Sequence, residues 1–260
     1  MKNAIVIPCY NEADRLKFDQ FQKFINEQPE YQLCFVNDGS QDATLEQLLS
    51  FQTKNSQRVT IHNLVANQGK AEAVRQGVLQ MTNKSEVQNI GFMDADLATG
   101  FEDYTRLVSE MKKEGKDMVV GSRKLCGCVG VKRSAFRKMA SLVIGYIIKL
   151  LIAMPIKDTQ CGAKVFEKST AAYLFKSSFI SRWLFDVELF IRMRNLYGAK
   201  VMDKVSEVAL LSWKEVEGSK ISLKDSLKFP MRLAEIAYDY RVKPLSASIT
   251  SIRLSRSKVA

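Results

Sequence analysis

Residues 1–243 are predicted to fold as one α/β domain, a mostly parallel sheet flanked by helices. Three observations predict it. Short apolar runs recur between residues 3 and 121, most of them stopping at a proline, a glycine turn or an acidic residue. Segments with apolar residues at helical spacing separate them. A chain of 260 residues is also long enough to bury a full core. Strand and helix in alternation build parallel sheets through right-handed crossovers, and open sheets of this kind bind ligands beyond the carboxyl ends of their strands.

The first run, Asn3 to Pro8 (N-A-I-V-I-P), is apolar throughout and closed by proline, as a strand covered on both faces would be. Asp14 to Glu27 sets Leu16, Phe18, Phe21, Phe24 and Ile25 near helical spacing, and Pro29 ends it. Tyr31 to Asn37 is a second strand, broken by Asp38-Gly39-Ser40, with Asp42 placed to cap a helix from Ala43 to Asn55. Val59 to Leu64 is a third strand. It contains His62, the one histidine, which lacks an evident partner for proton transfer and reads as structural. Lys70 to Met81 is a helix with Ala71, Val74, Val78 and Met81 on one face. Val87 to Met93 then leads into Asp94-Ala95-Asp96, Phe101 to Glu114 is a helix, and Met118 to Gly121 a fifth strand.

Asp94 and Asp96 stand at the end of an apolar run, and alternation along a strand would point both carboxylates the same way. Such a pair repels itself unless a cation lies between. Oxygen ligands with no neighbouring Cys or His favour Mg²⁺ or Mn²⁺ over zinc, the plain alternative being a solvated turn or a helix cap. With 39 basic against 28 acidic residues the net charge is +11, which selects anionic partners such as phosphorylated substrates or an acidic membrane surface. No zinc-finger or recognition-helix pattern accompanies that charge, so nucleic acid is not expected. Cys9, Cys34, Cys126, Cys128 and Cys161 are scattered, with no secretory signal before them, and fit a reduced cytoplasmic setting. Cys126 and Cys128 flank Gly127 and could pair or bind a metal, but with His62 far off they read first as two thiols of a loop.

Gly130 to Lys138 carries Lys132, Arg133, Arg137 and Lys138, and Met139 to Ile156 is apolar but for Lys149. That length only approaches the roughly 20 residues a bilayer span needs. Lys149, Gly145 and Pro155 favour a helix over about 132–156 lying in a membrane interface, a buried core helix being the alternative. Arg137 and Ser141 stand four apart on one face of it. Ser222 to Tyr240 interleaves Leu223, Leu227, Met231, Ala234, Ile236 and Tyr238 with basic residues as a second amphipathic helix. Pro244 ends it, and 244–260 is a basic, serine-rich tail expected to be mobile.

Four loops at predicted strand ends carry a resemblance. Pro8-Cys9-Tyr10-Asn11-Glu12, Asn37-Asp38-Gly39-Ser40, Asn67-Gln68-Gly69-Lys70 and Asp94-Ala95-Asp96 resemble, in that order, the signatures of the family 2 inverting glycosyltransferases, whose GT-A fold is Rossmann-like. Gly121-Ser122-Arg123, Asp158-Thr159-Gln160-Cys161-Gly162, the segment Trp183 to Glu188 and the segment Trp213 to Lys220 are similar to the polyprenyl-phosphate sugar transferases, most of all the dolichyl-phosphate β-glucosyltransferase branch. The resemblance runs from about residue 3 to 240.

It implies metal-dependent, inverting transfer of a hexose, glucose first, from a UDP-sugar to a polyprenyl or dolichyl phosphate by a protein peripheral on the cytoplasmic membrane face. Asp38 would accept the imide N–H of uracil, an Asx-turn being its structural alternative. Pro8, Tyr10 and Glu12 would meet base and ribose, and Lys70 the diphosphate at a helix N-terminus. Gln160 and Lys220 match positions near the donor, where Trp213 would either stack or simply pack, while Asp94 and Asp96 would hold Mg²⁺ or Mn²⁺. Arg123, Arg137 and Ser141 would grip the acceptor phosphate. Such a phosphate is already largely dianionic at neutral pH and needs no general base. Asp186, within Phe185-Asp186-Val187-Glu188, is either a sugar contact or a helix N-cap. Two other readings stay open: a family 2 enzyme with a soluble or saccharide acceptor in cell-surface polysaccharide synthesis, dependent on Asp186, and a non-catalytic basic adaptor that would not bind UDP with metal.

Overall fold

A computed structural model describes residues 2–126, 135–213 and 228–242, with the backbone alone over 135–142 and at 242. Its strands are β1 (Lys2–Cys9), β2 (Tyr31–Asp38), β3 (Val59–Leu64), β4 (Val87–Phe92), β5 (Met118–Ser122), β6 (Lys164–Glu167) and β7 (Val205–Ala209). They join one sheet in the order β3-β2-β1-β4-β6-β5-β7. β1 pairs in parallel with β2 and β4, and β2 with β3, so the ends of these strands share one edge. β6 runs antiparallel between β4 and β5, with Lys164 opposite both Phe92 and Val120. Its beginning therefore meets the edge at which its neighbours end.

The helices are α1 (Phe18–Glu27), α2 (Thr44–Lys54), α3 (Lys70–Thr82), α4 (Phe101–Glu114), α5 (Ala135–Ile152), α6 (Lys168–Leu174), α7 (Phe185–Tyr197), α8 (Val201–Lys204) and α9 (Phe229–Ala237). Side chains of α1, α2 and α4 close over Ile5, Ile7, Leu33 and Phe35 on one face of the sheet. Those of α3, α5, α6, α7 and α9 close over Ala4, Val6, Val36 and Phe92 on the other. Alternation along β1 thus feeds two cores, which is why its sequence is apolar without a break.

Several boundaries differ from expectation. α1 starts at Phe18, because Asp14 to Lys17 are drawn into turns in which Arg15 and Leu16 donate their backbone N–H to the Glu12 carbonyl. The helix expected from Ser222 is described only from Phe229, with Pro230 in its first turn, where a missing N–H costs nothing. Residues 222–227 and the tail from 243 lie outside the described residues. The chain continues past α9 as a wide turn over Tyr238–Val242.

α5 combines both readings of its apolar stretch. Ile148, Leu151 and Ile152 are buried against the core, while Val143, Tyr146, Ile147 and Leu150 form an exposed stripe at helical spacing. Met231 and Tyr238 are exposed on the α9 segment, which packs beside α5. Among the described residues no helix is long and apolar enough to cross a membrane. Cys9, Cys34 and Cys161 are buried free thiols, but Cys126 is disulfide-bonded to a partner outside the described residues, so the expected pair of loop thiols is corrected. His62 lies within β3, opposite Val36.

Candidate active site

The carboxyl edge of the sheet gathers most of the residues singled out in the sequence. At the end of β2, Asp38 is buried and accepts the backbone N–H groups of Gln68 at 2.7 Å and Gly69 at 2.9 Å. Burial raises its pKa, against the pull of these two N–H groups and of Arg182. Asp38 does not form the Asx-turn it was a candidate for: the N–H of Ser40 donates instead to the side-chain oxygen of Asn37 at 3.3 Å. One N–H on each oxygen leaves the Asp38 carboxylate able to take a further donor.

Gly69 precedes α3 with φ of +95°, a region other residues rarely adopt. The space over its Cα is filled by the side chain of Arg182, whose Cδ would lie 2.9 Å from any added Cβ. Lys70 follows as the first residue of α3, and its ammonium pairs with Asp94 Oδ1. Burial alone would lower the Lys70 pKa, but Asp94, Asp186 and Asp96 together raise it.

β4 stops at Phe92, so Asp94 and Asp96 lie in a turn and strand alternation does not set their directions. Leu97, at φ of +57°, closes that turn. Asp96 Oδ1 accepts the N–H of Ala98 at 3.0 Å, and Oδ2 lies 4.0 Å from Arg15. Arg15 in turn pairs with buried Glu12 at 2.7 Å, and the Glu12 N–H donates to Thr44 Oγ1 at 2.8 Å. This chain of contacts ties the loop after β1, which carries half-buried Tyr10, to the acidic turn. Pro8 remains within β1, opposite Val36, behind that loop.

The segment before β6 closes the other side. Gly162 lies directly under Asp94, and a Cβ there would overlap Oδ2 of the acid. Among the described residues the side-chain nitrogen of Gln160 is buried without a hydrogen-bond partner. Arg123 pairs with Asp158 through both Nε at 2.7 Å and Nη2 at 2.8 Å, and its guanidinium lies 5.5 Å from the centre of the Trp213 ring. Burial works against the Asp158 carboxylate, yet Arg123 overrides it and holds the pKa below the ordinary value.

Asp186 is in the first turn of α7, almost fully buried, and its Oδ1 accepts from Lys164 Nζ at 2.6 Å. Burial raises its pKa, against the attraction of Lys164 and Lys70. It does not cap the helix: Leu184 holds the cap position, with no side-chain hydrogen bond. Glu188 points away from this edge, accepting the N–H groups of Ile180 and Ser181 and the hydroxyl of Tyr240.

Asp94, Asp96, Lys70 and Asp186 thus form one electrostatic cluster, with Gln160 and Gly162 on the loop beside it. The side chains of Arg137 and Ser141, and all of Lys220, lie outside the described residues. Lys164, Arg182 and Arg15 were not anticipated. The one available signal was a lysine inside the apolar run Ala163 to Phe166. Among the described residues no third His, Cys, Asp or Glu joins the two aspartates as a ligand set. Two carboxylates fit a Mg²⁺ or Mn²⁺ ion that keeps waters and takes its remaining ligands from a substrate diphosphate.

Comparison with known proteins follows the same outline. The Glycosyl transferase family 2 model matches residues 4–179. A dolichyl-phosphate beta-glucosyltransferase of Drosophila melanogaster is 36% identical over 84% of this chain and 69% of its own length. The protein of the same name from Dictyostelium discoideum is 32% identical over 91% and 74%. Among solved structures, glucosyl-3-phosphoglycerate synthase of Mycobacterium tuberculosis, crystallised with Mn²⁺, UDP-glucose and phosphoglyceric acid, superposes with a TM-score of 0.64. It is 15% identical, over 91% of this chain and 79% of that one, a likeness of fold.

Proposed function

Because the chain belongs to glycosyl transferase family 2 and is a glycosyltransferase of GT-A fold, we propose that it transfers glucose from UDP-glucose to a polyprenyl phosphate of the dolichyl type, inverting the anomeric carbon. The observation that carries this reading is the meeting of Asp38, Lys70, Asp94, Asp96 and Asp186 along one sheet edge, in a chain about a third identical to dolichyl-phosphate glucosyltransferases.

Asp38 takes the imide N–H of uracil, and Tyr10 and Glu12 border the base and ribose. Lys70 and the start of α3 face the diphosphate, a placement favoured by helix N-termini. Asp94 and Asp96 would hold Mg²⁺ or Mn²⁺, which supplies neutralisation of the departing diphosphate. The unpaired amide nitrogen of Gln160 donates to the donor, and Asp186 accepts a hydroxyl of the hexose. Trp213 and Lys220 complete the donor side. Arg123, whose Nη1 takes no part in the Asp158 pairing, joins Arg137 and Ser141 on the acceptor phosphate. That dianion attacks without a general base, so rate comes from alignment and charge neutralisation. The exposed stripe of α5 and the net charge of +11 suit an anionic cytoplasmic leaflet, where each basic residue near the surface adds about 1 kcal/mol.

The test is direct. Purified protein given UDP-glucose, Mn²⁺ and a polyprenyl phosphate is expected to release UDP and form a glucosylated lipid. Absence of product with this and every other common nucleotide sugar refutes the proposal. Turnover with a soluble saccharide and none with lipid replaces the acceptor.

A further inference from the structure

A lysine is rarely sealed from water, yet Lys164 has no exposed surface at all. Its ammonium donates to Asp186 Oδ1 at 2.6 Å and to the carbonyl of Cys161 at 2.7 Å, and it lies 5.5 Å from the centre of the Phe92 ring. Stability is a poor explanation for such a group, because an apolar side chain of similar volume often replaces a buried ion pair without loss. Its surroundings suggest another. Lys70 pairs with Asp94 and Arg15 lies 4.0 Å from Asp96, while Lys164 is the ammonium bonded to Asp186. It engages Oδ1 only, and among the described residues Oδ2 neither accepts a hydrogen bond nor counts as a buried orphan. That second oxygen is left for a ligand. Through Cys161 the same ammonium fixes the loop that carries Gln160 and, in Gly162, the surface on which Asp94 rests.

We infer that Lys164 is a positioning residue for the donor sugar: it holds Asp186 with one oxygen presented to a hexose hydroxyl and locks the Asp158 to Gly162 loop against the start of α7. This rests on the reading of Asp186 as a sugar contact, and the two claims separate experimentally. No bond is made or broken by Lys164 itself.

The experiment compares Lys164→Met, Asp186→Asn and their combination in the full chain, with Mn²⁺ present, by calorimetric titration of UDP and of UDP-glucose and by steady-state rates. Lys164→Met is expected to bind UDP within twofold of wild type, to bind UDP-glucose at least tenfold more weakly, and to lose at least a hundredfold in kcat. The double variant is expected to match Asp186→Asn within threefold, because both act through one carboxylate. Equal weakening of UDP and UDP-glucose by Lys164→Met, or additive losses in the double variant, overturns the inference and leaves a packing role. If Asp186→Asn keeps the wild-type ratio of the two affinities, the sugar-contact reading of Asp186 fails instead. Should Lys164→Met not fold, Lys164→Arg keeps the charge but moves the donor atoms. It is expected to weaken UDP-glucose selectively, and wild-type affinity for both ligands would refute the positioning role.

Discussion

Gly162 has no freedom to become anything larger, since a single methyl group would occupy the place of Asp94 Oδ2. Gly162→Ala is therefore expected to leave the fold intact and displace the acid that pairs with Lys70. A loss of about tenfold or more in kcat, equivalent to about 1.4 kcal/mol or more, should accompany a melting temperature close to wild type. Parallel assays of rate and thermal melting check it, and an unchanged rate would mean that Asp94 can move at no cost. At this scale the sequence was informative where chemistry and turn geometry coincide. Asp38 and the two aspartates are readable because each follows an apolar run at a strand end, and Lys70 because it opens a periodic helix after a glycine. Lys164 was not, because β6 spans only Lys164–Glu167 and shows no period that would mark its lysine as inward-facing. Arg182 was hidden for a different reason. It reaches Gly69 from a loop more than a hundred residues away, a contact that no local pattern encodes.

Between elements, the most connected junction joins α7 to the C-terminal segment. Arg192 donates to the carbonyls of Leu174, Ser177 and Ser178 and to the Tyr240 hydroxyl, which itself donates to Glu188. Glu188 also holds the N–H groups of Ile180 and Ser181, at the start of the loop that leads to Asp186. Burial, then Glu188, pushes the Tyr240 pKa up to about 12, so the hydroxyl stays a donor at all ordinary pH. Tyr240→Phe should leave the Arg192 Nε and a Glu188 oxygen short of a partner. It is expected to cost about 1 to 3 kcal/mol, seen as a melting temperature lower by roughly 2 to 4 °C for each kcal/mol. A melt identical to wild type would show that water replaces the hydroxyl. Long elements with a clear period were legible, and α4 has the predicted limits of Phe101 and Glu114. β7 escaped notice because Val205–Ala209 is too short and too mixed to stand out. The helix expected over Ser222 to Tyr240 is met by α9 where the residues are described, and its expected start lies outside them.

For the whole molecule, the pairing of Arg123 with Asp158 clasps a long excursion of the chain where it leaves and re-enters the sheet. The Asp158 pKa is depressed in the folded state, so its contribution is present above the unfolded value of 3.8 and is lost as pH falls through the lower folded value. Asp158→Asn is expected to cost about 2 to 4 kcal/mol at neutral pH, with the difference from wild type closing below pH 3.8. Denaturant titrations across that range measure it, and a gap that persists in acid would assign the loss to packing. Net charge and the apolar stretch before Ile156 pointed to a surface that meets anions and lipid. Which residues of α5 face the core and which face out required the three-dimensional structure, because the stretch is apolar on both sides. The antiparallel course of β6 carries a historical consequence. Chain departs from β5 at Ser122 and returns next door at Lys164, so the excursion between them starts and ends at one place on the sheet. Descent can lengthen or shorten the outer part of that excursion without moving either strand, while its inner part, from Ile148 to Gly162, stays bound to the core and to Asp94.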